Sequence, residues 1–431
     1  MFGVLIAFGL FFFLLAIGTP IFVGVFVGAA LGLYLVRGWD AVWGFFTHSL
    51  HADLAQYFFA IIPMFILVGM LSESGGLGQR AYETFHKLIG HIRGGLLVAT
   101  TFAAAAFGAC SGSTIASAAL FSKVALPELK KHNYNQGMSL ASIATAGTLA
   151  TLIPPSAMMV IFGVLTNTSI GRLLIAGILP GLIVAAMLGT QILVMVRLKP
   201  DLAPVRLEPV SWRERLMAPV LIWPLLGVFA IIVGSIWTGL VAPSEAGALG
   251  SVVVLLWNFI ARVPGKRIIG AFRDTAITSS QIMILILGGL ILSKVVAYSR
   301  VTITAIDWIQ VNDLPLAAVW GLIILIWLVL GMIIDSTSQL VLTLPFAFPI
   351  MTGLGVDPIV LGIVAIVMIE LGVITPPVGF NCYVVASIAE VDPWVVFRGI
   401  FPFCVTLSAA VVLFILVPQI STFLPSLAFG G

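Results

Sequence analysis

Long apolar runs separated by short polar segments dominate the chain. Several windows of about 20 residues or more carry no formal charge at all, for example 54–72, 94–122, 217–244 and 399–431. A helix needs about 20 apolar residues to cross a bilayer, so these windows predict membrane-spanning helices. A membrane β-barrel would instead show alternating polarity in short segments, and the sequence has no such pattern. The pattern therefore predicts an all-α polytopic membrane protein.

The second half of the chain repeats the first at a nearly fixed offset. Five Pro or Gly pairs are each 222 residues apart, and pairs nearer the start of each half drift by one or two positions. This register predicts a first repeat at 1–197 and a second repeat at 218–431, joined by a linker at 198–217. The pairs are Pro127 and Pro349, Pro154 and Pro376, Pro155 and Pro377, Gly177 and Gly399, and Pro180 and Pro402.

Each repeat contains a stretch of small and apolar residues that is too short for two spans and has a polar centre. These stretches are 96–126 and about 318–348. Such a stretch predicts a re-entrant helical hairpin, which enters and leaves the membrane on one side. The next helix of each repeat, at 138–165 and 358–388, is predicted to break at its Pro-Pro pair, because proline donates no backbone N–H.

Five spans plus one hairpin per repeat make the second repeat inverted relative to the first. Fifteen of the twenty Lys and Arg then fall on the side of the 198–217 linker, and four fall on the opposite side. The positive-inside rule predicts that the linker is cytoplasmic and that both termini lie outside. The apolar run that begins at Met1 has no basic segment before it, which predicts a retained helix rather than a signal peptide.

Composition agrees with this class and argues against others. Apolar residues make up 61% of the chain and charged residues 9%, whereas soluble domains carry roughly 25% charged residues. A net charge of +3 gives no indication of nucleic-acid binding. Three cysteines in apolar segments do not suggest a disulfide framework or a metal cluster. No G-x-S-x-G or H-E-x-x-H motif is present, so we do not expect an enzyme.

Inverted repeats with broken helices are typical of secondary transporters, whose sites lie near the middle of the membrane. Hydroxyls and carbonyls freed at such breaks are hard oxygen ligands that suit Na⁺. We predict two Na⁺ sites, one per repeat, each where a hairpin tip meets a Pro-Pro break. The first comprises Ser111, Gly112, Ser113, Thr114, Ile153 and Pro154, and the second comprises Asp335, Ser336, Thr337, Gly372, Thr375 and Pro376.

The half-helices that begin after the breaks direct positive dipole ends at the same region, which favours a carboxylate or sulfonate. Glu370 is an acid inside the membrane and is a candidate for ion or proton coupling, with a structural hydrogen bond as the alternative. Glu245 follows Pro243 at a helix start, which favours a capping role. The candidate substrate contacts are Ser113, Ser156, Thr337, Asn381 and Arg300.

Four segments of the chain resemble a known family: GACSGSTIASAALFSKVALPEL, LIPPSAMMVIFG, AGILPG and ELGVITPPVGFNCYVV. Over essentially its whole length the chain is similar to the large membrane subunit of TRAP (tripartite ATP-independent periplasmic, DctM-like) transporters. The resemblance implies uptake across the bacterial inner membrane by an elevator mechanism. With the charge bias described above, both termini are then expected to be periplasmic. It also implies a small four-helix membrane subunit (DctQ-like) and a periplasmic substrate-binding protein (DctP-like) as partners. Lys123 departs from the small or apolar residue that the resemblance implies.

Two alternatives stay open at this point. A channel could also use broken helices, but two inverted half-sites favour alternating access over a continuous pore. A stand-alone Na⁺- or H⁺-coupled carrier could share the hairpin architecture without a binding protein. Small carboxylates, dicarboxylates, sialic acid and sulfonates all suit two helix dipoles and a few hydroxyls. We expect Na⁺ as the coupling ion and no other cofactor.

Overall fold

The computed structural model describes residues 2–49, 57–203 and 211–430. Within these ranges the regular elements are all helical, which confirms the predicted all-α class. Residues 204–210 of the predicted linker lie outside the described residues. The helices of the first half are α1 (Phe2–Ala16), α2 (Ile21–Arg37), α3 (Trp39–Gly44), α4 (Ile61–Ser74), α5 (Leu77–Ile89), α6 (Gly95–Ser111), α7 (Thr114–Lys131), α8 (Gln136–Gly147), α9 (Ala157–Thr166), α10 (Ile170–Ala176) and α11 (Ile178–Leu198).

The described part of the second half is helical as well. The remaining helices are α12 (Trp212–Met217), α13 (Trp223–Trp237), α14 (Pro243–Ile260), α15 (Gly265–Ser299), α16 (Val301–Val311), α17 (Leu316–Gly331), α18 (Ser336–Gly353), α19 (Pro358–Gly372), α20 (Phe380–Ala389), α21 (Pro393–Leu416) and α22 (Gln419–Phe429).

Helix length separates membrane-spanning helices from interrupted ones. Five stretches of the described chain are long and apolar enough to cross a membrane alone, and α4 with α5 forms a further candidate span, bent by 65°. Other apolar helices have only 10–17 residues, among them α6, α9, α17, α19 and α20. These shorter helices flank the two polar turns and the two Pro-Pro pairs, so the interruptions predicted from the sequence gather in one set of helices.

The helices pack in two groups. In the first group, α15 packs against α2 and α4, α2 packs against α1, and α14 packs against α4 and α13. In the second group, α8 packs against α6, α7 and α21, while α19 packs against α17 and α21. The interrupted helices belong to the second group. Contacts of α4 with α6 and of α15 with α18 connect the groups.

A buried asparagine joins two helices of the first group. Asn258 on α14 is fully buried, and its Nδ2 donates to the carbonyls of Leu71 and Val254, both at 3.0 Å. Its Oδ1 accepts from Ser74 Oγ on α4 at 3.3 Å. Buried polar groups that lose a partner cost about 1–3 kcal/mol. These bonds therefore hold α14 against α4.

We expect Asn258→Ala to lower the free energy of unfolding by about 1–3 kcal/mol, because the substitution removes these bonds and leaves a small cavity. Thermal unfolding of the purified protein in nanodiscs measures this as a lower Tm. The matched control is Asn312→Ala, since the Asn312 amide donates only to the Trp308 carbonyl at an exposed helix end. Equal Tm values for the two variants would contradict the role of Asn258.

Candidate functional site

The first polar turn is a two-residue connection between α6 and α7. Gly112 adopts a positive φ of 58° and ends α6, a conformation that favours glycine. Ser113 follows in an extended conformation and caps α7, its hydroxyl accepting from Ala116 N at 3.3 Å. A Cβ at Gly112 would lie only 3.3 Å from Ala157 N. The first hairpin tip therefore rests directly on the start of α9.

The first Pro-Pro pair separates α8 from α9. A 3-10 turn at Thr148–Thr151 follows α8, and α9 begins at Ala157. Ser156 is fully buried and caps α9 by accepting from Met159 N at 3.3 Å, while its own hydroxyl donates to the Thr151 carbonyl. The peptide bond between Pro154 and Pro155 is cis. The capping serine satisfies part of the polar backbone that the break exposes.

The second polar turn carries an acid at the equivalent position. Asp335 caps α18, and its Oδ2 accepts from the backbone N–H groups of Thr337 at 3.0 Å and Ser338 at 3.1 Å. The second break follows Gly372, and the peptide bond between Pro376 and Pro377 is cis. A hydrogen bond from Asn381 N to the Val373 carbonyl at 3.1 Å closes the interrupted segment.

Each hairpin contacts both halves of the chain. The first arms, α6 and α17, pack on their own halves. A Cβ at Gly108 on α6 would lie 2.5 Å from Ala150 Cα, and a Cβ at Gly372 on α19 would lie 2.7 Å from the Cα of Gly331 on α17. The second arm packs on both halves: α7 lies against α8 and α20, and α18 lies against α19 and α9. This cross-packing brings the two hairpin tips together.

Both tips line one cavity of about 450 Å³. The cavity also contacts α2, α4, α15 and the start of α9. No Lys, Arg or His of the described residues lines it. Its polar lining consists of Glu73, Ser111, Ser113, Thr114, Thr151, Thr278, Gln281, Asp335, Ser336, Thr337 and Ser338.

Glu370 connects the two halves beside this cavity. The residue is 2% exposed, and its Oε2 accepts from Thr114 Oγ1 on the first hairpin at 2.9 Å. The hydroxyls of Thr151 and Ser336 also face its carboxylate, and Asp335 is a neighbouring charge. In the described part of the chain its Oε1 accepts no hydrogen bond. The salt bridges found there join only Glu128 to Lys131 and His132, so Glu370 has no basic partner among them.

The predicted Na⁺ ligands fall into two sets. The hairpin residues of both predicted sites line the shared cavity, namely Ser111–Thr114 and Asp335–Thr337. The residues from the breaks lie outside its lining. Ile153 and Pro154 are buried beside it, Gly372 packs on Gly331, Thr375 donates to the Leu371 carbonyl at 2.6 Å, and Pro376 lines a separate pocket.

The predicted substrate contacts divide in the same way. Ser113 and Thr337 line the cavity, and Thr337 Oγ1 lies 3.7 Å from Met158 Sδ. Ser156 and Asn381 are fully buried outside the lining, and Asn381 Nδ2 donates to the Ala144 carbonyl at 3.3 Å. Arg300 is exposed at the end of α15, away from the cavity.

Three other polar residues clarify the extent of the site: one caps a helix outside the cavity, and two line the cavity. Glu245 accepts from Ala242 N at 2.9 Å, which confirms its predicted capping role. Thr278 and Gln281 line the cavity although neither was predicted from the sequence. They are three residues apart on α15 and so lie on one helix face. The feature of the sequence that could have indicated them is a polar pair within an otherwise apolar segment.

Glu73 is a further acid at the cavity that was not predicted from the sequence. It lies at the end of α4 and lines the cavity mouth. Lys123 on α7 acts electrostatically on its carboxylate, as does Asp274 on α15. Lys123 is exposed and does not line the cavity. Glu73 thus adds an acid to the cavity lining, apart from the hydroxyls and Asp335 of the hairpin tips.

Comparison with known proteins identifies the family. A family model described as "Tripartite ATP-independent periplasmic transporter, DctM component" matches residues 8–420. The chain is 32% identical to the C4-dicarboxylate TRAP transporter large permease protein DctM of Vibrio cholerae, over 97% of each chain. It is 30% identical to the ectoine TRAP transporter large permease protein TeaC of Halomonas elongata, over 96% of this chain and 97% of the relative. It is 28% identical to the sialic acid TRAP transporter large permease protein SiaM of Vibrio cholerae, over 97% of each chain.

A solved structure shares the fold. The crystal structure of the YdaH transporter of Alcanivorax borkumensis matches with a TM-score of 0.62 over 91% of this chain and 90% of that one, at 14% identity. The likeness supports the helical membrane fold. The family match extends over nearly the whole chain and includes both hairpins and both Pro-Pro breaks. The chain belongs to the DctM component family of tripartite ATP-independent periplasmic transporters, as an integral membrane permease.

Proposed function

We propose that this chain carries out Na⁺-coupled uptake of a small organic anion across the bacterial inner membrane. It would work by an elevator mechanism and receive its substrate from a periplasmic binding protein. The word "tripartite" in the family description supports two further components, a small four-helix membrane subunit (DctQ-like) and the binding protein (DctP-like). The family is one of transporters rather than enzymes, which agrees with the absence of a catalytic motif.

One observation carries the proposal: two hairpin tips share a cavity that has acids and hydroxyls but no basic side chain among the described residues. An organic anion entering this cavity would meet Asp335 without a side-chain cation to balance it. Bound Na⁺ would neutralise Asp335 and attract the anion, together with the positive ends of α7, α9 and α18. Substrate binding would then depend on prior Na⁺ binding, which is the basis of symport.

The two Na⁺ sites remain assigned as the sequence predicts. Ser111–Thr114 would form the first site, with Ile153 and Pro154 supporting it from the break. Asp335, Ser336 and Thr337 would form the second, with Gly372, Thr375 and Pro376 supporting it. Since the break residues lie outside the cavity lining, we assign them a positioning role and assign direct coordination to the tips.

The orientation follows from charge and from the shape of the cavity. The positive-inside rule assigns the basic segment 73–93 to the cytoplasm and both termini to the periplasm. The cavity reaches Ile21 at the start of α2 and Glu73 at the end of α4. Both positions belong to the cytoplasmic side in this orientation. The cavity is therefore assigned to the state that releases substrate to the cytoplasm.

The division into two packing groups supports the elevator. The second group contains both hairpins and both broken helices, and so both predicted Na⁺ sites. The first group contains α1, α2, α4, α13, α14 and α15, which would be the scaffold. Movement of the second group as a unit would carry the ions and the substrate without separating the two tips.

The driving force is adequate for a monoanion. Two Na⁺ moving inward with one monoanion transfer one net positive charge, which is worth about 2.3 kcal/mol per 100 mV. The Na⁺ concentration gradient adds to this. The named relatives suggest substrates for this chain among C4-dicarboxylates, ectoine and sialic acid. A carboxylate is the group that the helix ends and bound Na⁺ would recognise.

Uptake into proteoliposomes tests the proposal. The chain and its small partner would be given labelled organic anions, with and without an inward Na⁺ gradient, and with and without the binding protein. We expect uptake only when Na⁺ and the binding protein are both present. Uptake with Na⁺ alone would support the stand-alone carrier, and equal uptake without Na⁺ would refute the coupling. A K⁺ gradient of the same size is the control for ionic strength.

A further inference from the structure

We infer that Glu370, which lies in the second half of the chain, supplies the negative charge of the Na⁺ site in the first half. This inference rests on the proposed function and assigns a residue to one of its two ion sites. The two hairpin tips differ in charge: the second has Asp335, and the matching position of the first has the neutral Ser113. The first site thus has hydroxyls and carbonyls but no acid of its own.

The geometry supplies the missing acid from across the repeat boundary. Thr114, at the tip of the first hairpin, donates to Glu370 Oε2 at 2.9 Å. Thr151, from the turn before the first Pro-Pro pair, faces the same carboxylate. Glu370 therefore lies between the two elements of the first half that were predicted to hold Na⁺. Each of the two sites then has one carboxylate.

The surroundings of Glu370 leave its charge unbalanced. The side chain is 2% exposed, its Oε1 accepts no hydrogen bond within the described residues, and the salt bridges found there do not include it. A buried carboxylate in a membrane is costly without a partner. Asp335 differs, because two backbone N–H groups already donate to its Oδ2. Glu370 therefore has one buried carboxylate oxygen without a hydrogen-bond donor among the described residues.

A second unpaired oxygen lies on the first hairpin tip, close to Thr114 in the chain. Ser111 Oγ lines the cavity at the first tip, is itself shielded from solvent, and has no hydrogen-bond partner among the described residues. Ser111 Oγ lies three residues before Thr114, whose hydroxyl donates to Glu370 Oε2. The tip and the unpaired Glu370 Oε1 therefore offer hard oxygen ligands to the proposed site. Na⁺ prefers such a set over a nitrogen or sulfur donor.

Na⁺ binding to the full-length protein in nanodiscs tests the inference directly. Equilibrium binding of radioactive Na⁺, without substrate, counts the ions bound per chain. We expect two ions for the unchanged chain and one for Glu370→Gln, because glutamine keeps the size and the acceptor for Thr114 but removes the charge. The lost ion corresponds to a Kd increased at least about tenfold. Asp335→Asn should lose the other ion, and the double variant should bind none.

Controls separate this inference from a structural role and from the proposed function. Glu245→Gln removes an acid that only caps an exposed helix start, and it should bind two ions. Glu370→Asp retains the charge and should keep two ions, even where Glu370→Gln folds poorly. If a folded Glu370→Gln variant bound two ions with unchanged Kd, the inference would be overturned. Glu370 would then serve only as a structural hydrogen-bond acceptor for Thr114. No ions in the unchanged chain would overturn the proposed function itself.

Discussion

Asp335→Asn is expected to raise the Na⁺ concentration for half-maximal uptake at least about tenfold, because a charge-assisted ligand contributes about 1.5–3 kcal/mol. Asparagine is as good an N-cap as aspartate. The substitution therefore keeps the hydrogen bonds from Thr337 N and Ser338 N and removes only the charge. Na⁺ titration of uptake in proteoliposomes, at saturating substrate and binding protein, measures the effect.

The chain offers a close control for this substitution. Asp357 caps α19 in the same manner, and its Oδ1 accepts from Ile359 N at 2.7 Å and Val360 N at 3.3 Å. It does not line the cavity. Asp357→Asn should leave the Na⁺ dependence of uptake unchanged. A similar shift in both variants would trace the effect to helix capping, and an unchanged midpoint in Asp335→Asn would refute the assignment of Asp335 to the second Na⁺ site.

Local sequence was enough to predict the interruptions of the helices. Proline donates no backbone N–H wherever it stands, so the pairs at Pro154 and Pro376 could be recognised without knowing the fold. Gly112 and Asp335 were equally visible, since a glycine and a capping acid within small or apolar helices indicate a turn. The helices end close to these residues because the causes act within a few positions along the chain.

The partners of each interruption could not be predicted in this way. The hydrogen bond from Thr114 to Glu370 joins residues 256 positions apart in different halves. The repeat suggested that each hairpin tip would meet the break of its own half. The tip of the first hairpin does lie on the start of α9 in its own half, at Gly112. The second arms also pack on the opposite halves, because steric fit between whole helices decides which elements meet. This fit cannot be recognised from any single residue. From the sequence alone, Glu370 could therefore be interpreted either as a coupling acid or as a structural hydrogen-bond acceptor.

Close backbone contacts were also invisible in the sequence. The chain has 43 glycines, and their residue type alone does not distinguish those at contacts from those in open positions. Gly372 and Gly331 lie against each other where α19 meets α17. At Gly321 on α17, by contrast, a Cβ would have no described atom from beyond its own stretch of helix within 4 Å. Only the three-dimensional packing distinguishes these two glycines. It predicts that an added methyl group is disruptive at Gly372 and tolerated at Gly321.

Gly372→Ala is expected to abolish most Na⁺-dependent uptake and to lower the free energy of unfolding by about 1–3 kcal/mol, the usual cost of overpacking. The new Cβ would lie 2.7 Å from Gly331 Cα and 3.3 Å from the Trp327 carbonyl oxygen. These are backbone atoms, which cannot rotate away as a side chain would, so α17 must shift relative to α19. Since α17 leads into the tip that carries Asp335, the shift would move the second Na⁺ site.

Gly321→Ala separates this effect from the loss of a glycine as such. Alanine is the better helix former by about 1 kcal/mol, and the open position gives its methyl group room. That variant should keep its uptake and its Tm. Measuring uptake, Tm and Na⁺ binding on both variants distinguishes a misplaced site from a poorly folded protein. A Gly372→Ala variant with normal Na⁺ binding and uptake would show that the α17–α19 contact does not position Asp335. In that case the cross-packed second arms, α18 on α9 and α7 on α20, would be sufficient to hold the two tips together.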